Sequence, residues 1–193
     1  MKKFALILAL SFVYSFSTAQ ESFNQKFLEA NTLMEESMFN IALPIWLDLV
    51  AQQPDNSNVN YKIGVCYIHS GNEKKKALEY LKKAIEKTSS NYDPFNTNED
   101  KAPNEAHFYL ARAYHLNYEL DSAIAHYNTL KGKITKKHYL FNELEHFTKQ
   151  CTYAKEAVAK PVNIEVVNLG KSINIYRFSY RFFSISTLFC KML

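Results

Sequence analysis

The strongest constraint on the fold is a pattern of residue types that recurs along the chain at helical spacing. Its clearest copy lies between Asn58 and Ile85. Two helices and the turn between them carry the pattern: Tyr61, Ile63, Gly64 and Tyr67, then Gly71 and Asn72, then Ala77, Tyr80, Leu81 and Ala84. Gly64 and Ala77 are predicted where the helices cross, because a larger side chain would push them apart. Since one such hairpin cannot bury its apolar face alone, it has to stack on a neighbour.

Similar hairpins are predicted on both sides of this copy. The upstream one is marked by Phe27, Leu28, Ala30 and Leu33, then by Ala42, Trp46 and Leu49. The downstream one is marked by Pro103, Leu110, Ala111 and Tyr114, then by Ala123, Tyr127 and Leu130. Pro44 is predicted in the first turn of its helix, where a missing N–H does little harm. Three hairpins are the minimum usually needed for a stable array.

Two segments depart from the repeat. Residues 88–102 are a polar insertion, predicted to be a loop that Tyr92 and Phe95 pack against the array. Residues 136–159 are predicted to be one long helix with a single apolar face, which is typical of a capping helix. That face is formed by Tyr139, Leu140, Leu144, Phe147, Cys151 and Ala154.

The order of apolar, small, aromatic, turn, alanine and aromatic residues resembles the tetratricopeptide repeat (TPR). The resemblance implies an all-α, right-handed solenoid of TPR-like hairpins over residues 20–159, which binds other proteins and is not an enzyme. The first helix of each TPR hairpin lines the binding groove, and the candidates there are Asn31, Tyr61, Val65, His69, Phe108, Arg112 and His115. Aromatic residues and arginine are frequent interface hot spots. For each of these residues, the alternative to binding a partner is that the side chain packs against the next hairpin.

The N-terminal residues are predicted to be an export signal. Lys2 and Lys3 precede an apolar run over residues 4–16, and small residues stand just before Gln20. This order is typical of a signal peptide over residues 1–19, and the run is too short to span a bilayer. The chain is therefore expected in the periplasm or at the outer membrane of a Gram-negative bacterium.

The C-terminal residues change in character. Residues 160–174 are predicted to be a linker with one strand, because Val162–Val167 alternates between apolar and polar residues. Residues 175–193 keep neither a helix nor a strand period. One interpretation is a basic, aromatic tail that docks on a membrane surface. The other is a segment that is read out of its natural frame.

The order of signal peptide, hairpins, long helix and the segment PVNIEVVNLGKSIN at Pro161–Asn174 is similar to an envelope-protein family with an OmpA-like domain. Members of that family continue into a WD-type β-propeller and a peptidoglycan-binding domain. The resemblance covers residues 1–174 and implies a truncated member that acts as a scaffold for protein partners in the envelope. Peptidoglycan binding is not implied, because no residue here matches that domain.

Charge and motifs argue against other classes of function. The net charge of +4 arises from the ends of the chain, whereas a nucleic-acid binder carries positive charge on a folded face. No H-E-x-x-H or G-x-S-x-G motif occurs, and four glycines are too few for a phosphate-binding loop. No nucleic acid, cofactor, small-molecule substrate or catalytic residue is therefore predicted. The alternative is an envelope enzyme with an unrecognised site.

Two further features involve residue types that can carry chemistry. Glu143 and His146 have the i, i+3 spacing of a di-iron motif, but such sites need the motif twice, so a solvated helix face is favoured and no metal is predicted. Cys66 lies among apolar residues and is expected to be a buried thiol. A disulfide between Cys66 and Cys151 is left open.

Overall fold

The computed structural model describes residues 22–70 and 73–160. The predicted signal peptide, the turn at Gly71 and Asn72, the linker strand and the C-terminal tail lie outside these residues. The chain divides into two compact units, residues 1–154 and 155–193. Of the second unit, only residues 155–160 are described.

The described chain is all-α, which confirms the predicted array of TPR-like hairpins. The first hairpin pairs α1 (22–35) with α2 (Phe39–Gln52), and the second pairs α3 (Ser57–His69) with α4 (Ala77–Ala84). The third pairs α5 (Ala106–Leu116) with α6 (Leu120–Lys133), and α7 (Phe141–Ala159) follows. A 3₁₀ turn, Lys74–Lys76, precedes α4. No helix among the described residues is long and apolar enough to cross a bilayer.

Each hairpin has one non-glycine residue with a left-handed backbone among the described residues between its two helices. Ser37, Glu73 and Tyr118 have φ angles of 60°, 54° and 61°, and they stand between the two helices of the first, second and third hairpins. A non-glycine residue in this conformation costs roughly 1–2 kcal/mol. Ser37 and Tyr118 are each the middle residue of a three-residue connection, whereas Glu73 directly precedes the 3₁₀ turn before α4.

The crossing of α3 and α4 depends on Gly64. A Cβ atom at this position would overlap Cγ of Leu81, which is completely buried on α4. Gly64 therefore lets the two helices approach each other, as its place in the pattern predicted. Ala77, at the start of α4, is also completely buried.

Buried side chains form two main clusters. The first joins the first two hairpins to the inner side of α5, and Phe27 meets Trp46 edge-on at its centre, with ring centroids 5.0 Å apart. The second joins α5, α6 and α7, and contains Phe108, Ala111, Leu120, Ala123, Tyr127, Leu130, Leu140, Leu144 and Cys151. The helix α7 thus covers the last hairpin, as expected of a capping helix.

Three predicted helix boundaries were wrong. Pro44 lies in the second turn of α2 and not in the first, because the helix already begins at Phe39. Pro103 belongs to a short strand, and α5 starts only at Ala106. The last helix starts at Phe141 and not at residue 136, because residues 136–140 form turns in which His138 Nδ1 accepts a hydrogen bond from the N–H of Leu140.

The insertion between the second and third hairpins is a loop with a closed base. Two short parallel strands, β1 (Thr88–Ser89) and β2 (Ala102–Pro103), pair at that base. We call residues 90–101 the insertion loop. An exposed ion pair between Lys87 and Asp100, with Nζ 3.2 Å from Oδ2, adds to the closure. The base is therefore held independently of the tip.

Candidate functional site

A row of five rings runs across α2, α3, α5 and the insertion loop. Its order is Tyr92, Tyr61, Tyr109, His69 and Phe39, and the centroids of successive rings are 6.3, 5.8, 6.1 and 4.5 Å apart. We call this the aromatic row. One end of it lies under the insertion loop, whereas the other end is not covered by the loop.

We call Asn31, Asn58 and Lys62 the covered end of the row. There, polar groups of α1 and α3 hold the insertion loop. Asn31 Nδ2 donates to the carbonyl oxygen of Pro94 at 2.6 Å. The side chain of Asn58 donates to the carbonyl oxygen of Glu99 at 3.2 Å, and its Oδ1 accepts from the Tyr92 hydroxyl at 2.7 Å. The prediction that Tyr92 packs the loop down is therefore confirmed. Phe95 does not do so, since 48% of its surface is exposed.

Lys62 places an amine beneath the loop. Only 5% of its surface is exposed, and Nζ donates to Asn31 Oδ1 at 2.6 Å. The amine also lies 5.8 Å from the ring centroid of Tyr92. Burial lowers the pKa of Lys62 to about 8, and the charge of Glu35 opposes this shift. The covered end thus holds a cation in a largely neutral environment.

The open end comprises Phe39, His69, Tyr109, Arg112 and His115. The Arg112 guanidinium lies over the rings of Phe147 and Phe108, with its carbon 5.4 and 5.9 Å from their centroids. Among the described residues, no carboxylate forms an ion pair with Arg112. The open end therefore carries a positive charge that the described part of the chain does not neutralise.

The two histidines of the open end favour their neutral form. Burial lowers the pKa of His69, and the charges of Arg112 and Lys74 lower it further. Burial and the Arg112 charge also lower the pKa of His115. Arg112 therefore gives this surface a fixed positive charge, whereas the lowered pKa values of the two histidines favour their neutral form near neutral pH.

The structure separates the residues that the sequence assigned to one groove. Tyr61 lies in the aromatic row, half-buried between the two ends. His69, Arg112 and His115 lie together at the open end. Their assignment to a partner-binding surface stays a prediction.

Burial argues against a surface role for the other three residues. Asn31 is completely buried at the covered end, where its side chain donates a hydrogen bond to the insertion loop and accepts one from Lys62. Val65 and Phe108 are each 5% exposed, and Phe108 packs against Tyr127 in the second core cluster. We therefore revise the predicted groove: these residues support the surface from within.

Sequence reasoning missed four residues of this face. Asn58 and Lys62 lie one turn apart on α3, so the helical period could have brought them together. Tyr109 directly follows Phe108. The repeat pattern was used to select Phe108, which lies in the core, whereas its neighbour Tyr109 lies in the aromatic row. Phe39 starts the second helix of its hairpin, and no signal in the repeat pattern points to it. Tyr92 was predicted to pack the loop against the array, but its place in the aromatic row was not predicted.

A second polar cluster lies between α5 and α6, next to the base of the insertion loop. His107 Nδ1 is 3.2 Å from His126 Nδ1, and its Nε2 is 3.2 Å from Lys133 Nζ. Lys133 also donates to Thr88 Oγ1 of β1 at 3.1 Å. Burial lowers the pKa of His107 to about 4, assisted by Lys133 and His126. His107 is therefore neutral and links the third hairpin to the base of the loop.

The described residues offer little for covalent or metal chemistry. Within residues 22–70 and 73–160, no group of three or more His, Cys, Asp or Glu side chains could hold a metal ion. Cys66 and Cys151 are buried free thiols, so the disulfide left open by the sequence is not formed. Burial raises the pKa of Cys66 to about 12 and also raises that of Cys151, which makes both thiols poor nucleophiles.

Comparison with known proteins identifies the repeat. A tetratricopeptide repeat model matches residues 59–87, the copy with the clearest pattern. The NADPH oxidase activator of Dictyostelium discoideum is 30% identical over 92 residues, which are 48% of this chain and 13% of that protein. The chain thus spans about an eighth of the length of this relative. The crystal structure of MamA protein is similar with a TM-score of 0.45 and 18% identity, over 81% of this chain and 92% of that chain.

Proposed function

We propose that this chain is a non-enzymatic scaffold that binds a protein partner at the open end. The observation that carries the proposal is Arg112, whose guanidinium lies over two aromatic rings without a carboxylate partner among the described residues. The tetratricopeptide repeat at residues 59–87 supports the proposal, since such repeats generally mediate protein–protein interactions.

The surroundings of Arg112 give the physical reason for binding. Rings beneath a guanidinium favour the cation and restrict its movement, so less freedom is lost when a partner binds. Tyr109 and His69 extend this surface with rings that offer large contact areas and few rotatable bonds. Arginine and tyrosine in such a setting are typical hot spots, with most of the binding energy in a few residues. The expected partner group is a carboxylate or a main-chain carbonyl that accepts from Arg112.

The proposal is tested by site-specific photo-crosslinking in the native host. A photoreactive phenylalanine analogue replaces His115 at the open end, and the same analogue replaces Tyr153 in a control, since Tyr153 is 66% exposed on α7. We expect one protein adduct from position 115 that Arg112→Gln reduces at least ~10-fold, the size of a hot-spot loss.

Two results would contradict this assignment. One is an equal yield of the same adduct from positions 115 and 153, which would mean contact without a specific surface. The other is an adduct from position 115 that Arg112→Gln leaves unchanged while the variant keeps its melting temperature.

We further propose that the chain is exported and acts in the cell envelope. The order of charged, apolar and small residues before Gln20 supports export. The similarity of Pro161–Asn174 to the OmpA-like envelope family supports the location. Mass spectrometry of the protein from a periplasmic fraction should find Gln20 as the first residue. Recovery of the protein in the cytoplasm with residues 1–19 still attached would contradict export.

A further inference from the structure

We propose that the polar cluster between α5 and α6 is an acid-sensitive latch, which holds the base of the insertion loop closed and releases it when a proton binds. The latch consists of Thr88, His107, His126 and Lys133. Its release would uncover the polar groups of the covered end, over which the loop lies. The inference does not rest on the proposed partner-binding function, since Arg112 takes no part in the hydrogen bonds of the latch.

The hydrogen bonds of the latch run in one direction. An ammonium group can only donate, so Lys133 Nζ donates to Thr88 Oγ1 at 3.1 Å and to His107 Nε2 at 3.2 Å. His107 Nε2 therefore carries no proton, and the proton of this neutral ring lies on Nδ1. Because His107 Nδ1 is 3.2 Å from His126 Nδ1, it donates there, and the proton of His126 lies on Nε2. One lysine thus fixes the tautomers of both rings.

An additional proton cannot be taken up without breaking one of these links. On His107 Nε2, the proton would place a cation 3.2 Å from the Lys133 ammonium and remove an acceptor from it. On His126 Nδ1, the proton would direct two N–H groups at each other across 3.2 Å. A change of His107 to its other tautomer would relieve that second conflict only by turning an N–H towards Lys133. Protonation of either ring therefore disrupts the chain of hydrogen bonds that ends at Thr88.

The surroundings of the two rings do not offset an added positive charge. On α6, the titratable neighbours are Lys133 and His126 themselves. On α4, the Lys82 amine lies 5.6 Å from the ring centroid of Tyr114, which stacks on His126 at 5.5 Å. Glu105, which precedes α5, pairs with a histidine of the connection between α6 and α7. Among the described residues, no carboxylate forms an ion pair with either histidine of the latch or with its lysine.

The latch couples opening of the loop to uptake of a proton. When β1 leaves the base, Lys133 loses Thr88, and its exposed side chain is free to move away from His107. Burial, assisted by the charges of Lys133 and His126, holds the pKa of His107 at about 4 in the closed form, against an ordinary value of 6.5 that the open form regains. Opening should therefore become about 10-fold more favourable when the pH falls from about 7.5 to about 5.5. The strand pairing and the exposed ion pair of the base remain, and they limit the opening at either pH.

Hydrogen exchange in the full chain measures this opening. The probes are the N–H groups of Ala102 and Asn104, which donate to the carbonyl oxygens of Lys87 and Ser89 across the base. After correction for the intrinsic exchange rate, we expect both to exchange about 10-fold faster at pH ~5.5 than at pH ~7.5. About 1 M urea should leave both rates unchanged, because a local opening exposes little surface, whereas amides that exchange by global unfolding become faster.

Three variants assign the effect to the latch. His107→Gln cannot take up a proton in this pH range and should lose most of the acceleration. Lys133→Met removes the cation beside His107, which should reduce the acceleration by raising the pKa of His107 in the closed form. His146→Gln, at an exposed position on α7, is the matched control and should keep the full acceleration. Circular dichroism and thermal melting establish that each variant is folded.

A measurement on the unmodified protein covers the case in which the variants do not fold. Long-range proton–nitrogen NMR spectra at neutral pH should show the proton of His107 on Nδ1 and that of His126 on Nε2. A proton on His107 Nε2 would overturn the proposal, because that nitrogen could not then accept from Lys133. The proposal is also overturned if exchange at Ala102 and Asn104 does not respond to pH, if it rises with urea in parallel with the amides of α3, or if folded His107→Gln keeps the acceleration.

Discussion

The covered end and the open end lie at the two ends of one aromatic row, but their polar groups differ in whether the chain itself supplies them with partners. At the covered end, Asn31 and Asn58 are satisfied by main-chain oxygens of the insertion loop. At the open end, Arg112 has aromatic rings beneath it and no ion-pair partner in the described part of the chain. The first end is therefore occupied by the chain itself, whereas the insertion loop does not cover the second.

The position of a residue on a repeat therefore does not by itself make it part of a binding surface. The positions chosen from the repeat pattern include Asn31, which the loop covers, and Phe108, which the core covers. Whether such a residue is exposed depends on the neighbouring structure, here the insertion after α4 and the helix α7 after α6. The following predictions test how far the two ends depend on that structure.

The largest effect is expected for Phe108→Ala, which removes the support beneath the open end. Phe108 packs its ring against Tyr109, Tyr127 and Phe147, with centroids 5.4 to 6.0 Å apart. Loss of a buried phenylalanine typically costs about 3–5 kcal/mol. Urea unfolding should show a loss of this size. Tyr153→Ala, on the exposed side of α7, is the control and should change stability by less than about 0.5 kcal/mol.

A smaller effect is expected for Gly64→Ala, which lies on α3 between Lys62 of the covered end and His69 of the open end. The added methyl group would overlap Leu81, so α3 and α4 must move apart at a cost of about 2–3 kcal/mol. Gly132→Ala on α6 is a matched control, because a Cβ there meets nothing within 4 Å. Thermal melting should show a loss for position 64 and a small gain for position 132. Equal results at both positions would contradict the close crossing.

The hairpins could be predicted from sequence because their signals are local. The period of apolar residues locates each helix, and Gly64 identifies the crossing from its place in that period. Boundaries were less accurate where a proline can belong to several structures: Pro44 was placed too near a helix start, and Pro103 was placed in a helix although it lies in β2.

The candidate site could be predicted only in part, because its contacts are not local. Asn31 meets Pro94, and Tyr92 meets Asn58, although each pair is far apart in the sequence. A repeat pattern describes neighbours on one helix and carries no information on where an insertion folds back. The same limit explains why Phe108, which is buried in the second core cluster, was assigned to the groove together with Arg112. The assignment of Arg112 to a partner-binding surface stays a prediction.

An intermediate effect is expected from acid, which should act through His107 on the base of the insertion loop. Its pKa is about 4 in the folded protein against an ordinary value of 6.5, so the unfolded chain binds more protons between these values. Stability should therefore fall as the pH is lowered from 7 towards 4, by on the order of 1–2 kcal/mol for this residue. The lowered pKa values of His69, His115 and His126 act in the same direction.

The contribution of His107 can be isolated with His107→Gln, which cannot take up a proton in this range. Urea unfolding at several pH values should give a flatter dependence for this variant than for the parent. His146→Gln, an exposed position on α7, is the control and should follow the parent. If the curves of the parent and His107→Gln run parallel, the histidine does not hold the base of the loop in the way described.

The smallest effect is expected for Tyr92→Phe, which alters the covered end and leaves the open end unchanged. The substitution removes the hydroxyl that donates to Asn58 Oδ1 and leaves this buried oxygen without that partner, at a cost of about 1 kcal/mol. Phe95→Leu, in the same loop, should cost less because Phe95 is largely exposed. Hydrogen exchange should become faster at the N–H of Asn58, which donates to the loop, and stay unchanged at the N–H groups of α5 around Arg112. Faster exchange in both regions would mean that the two ends open together, and that the loop supports the partner surface as well as covering its neighbour.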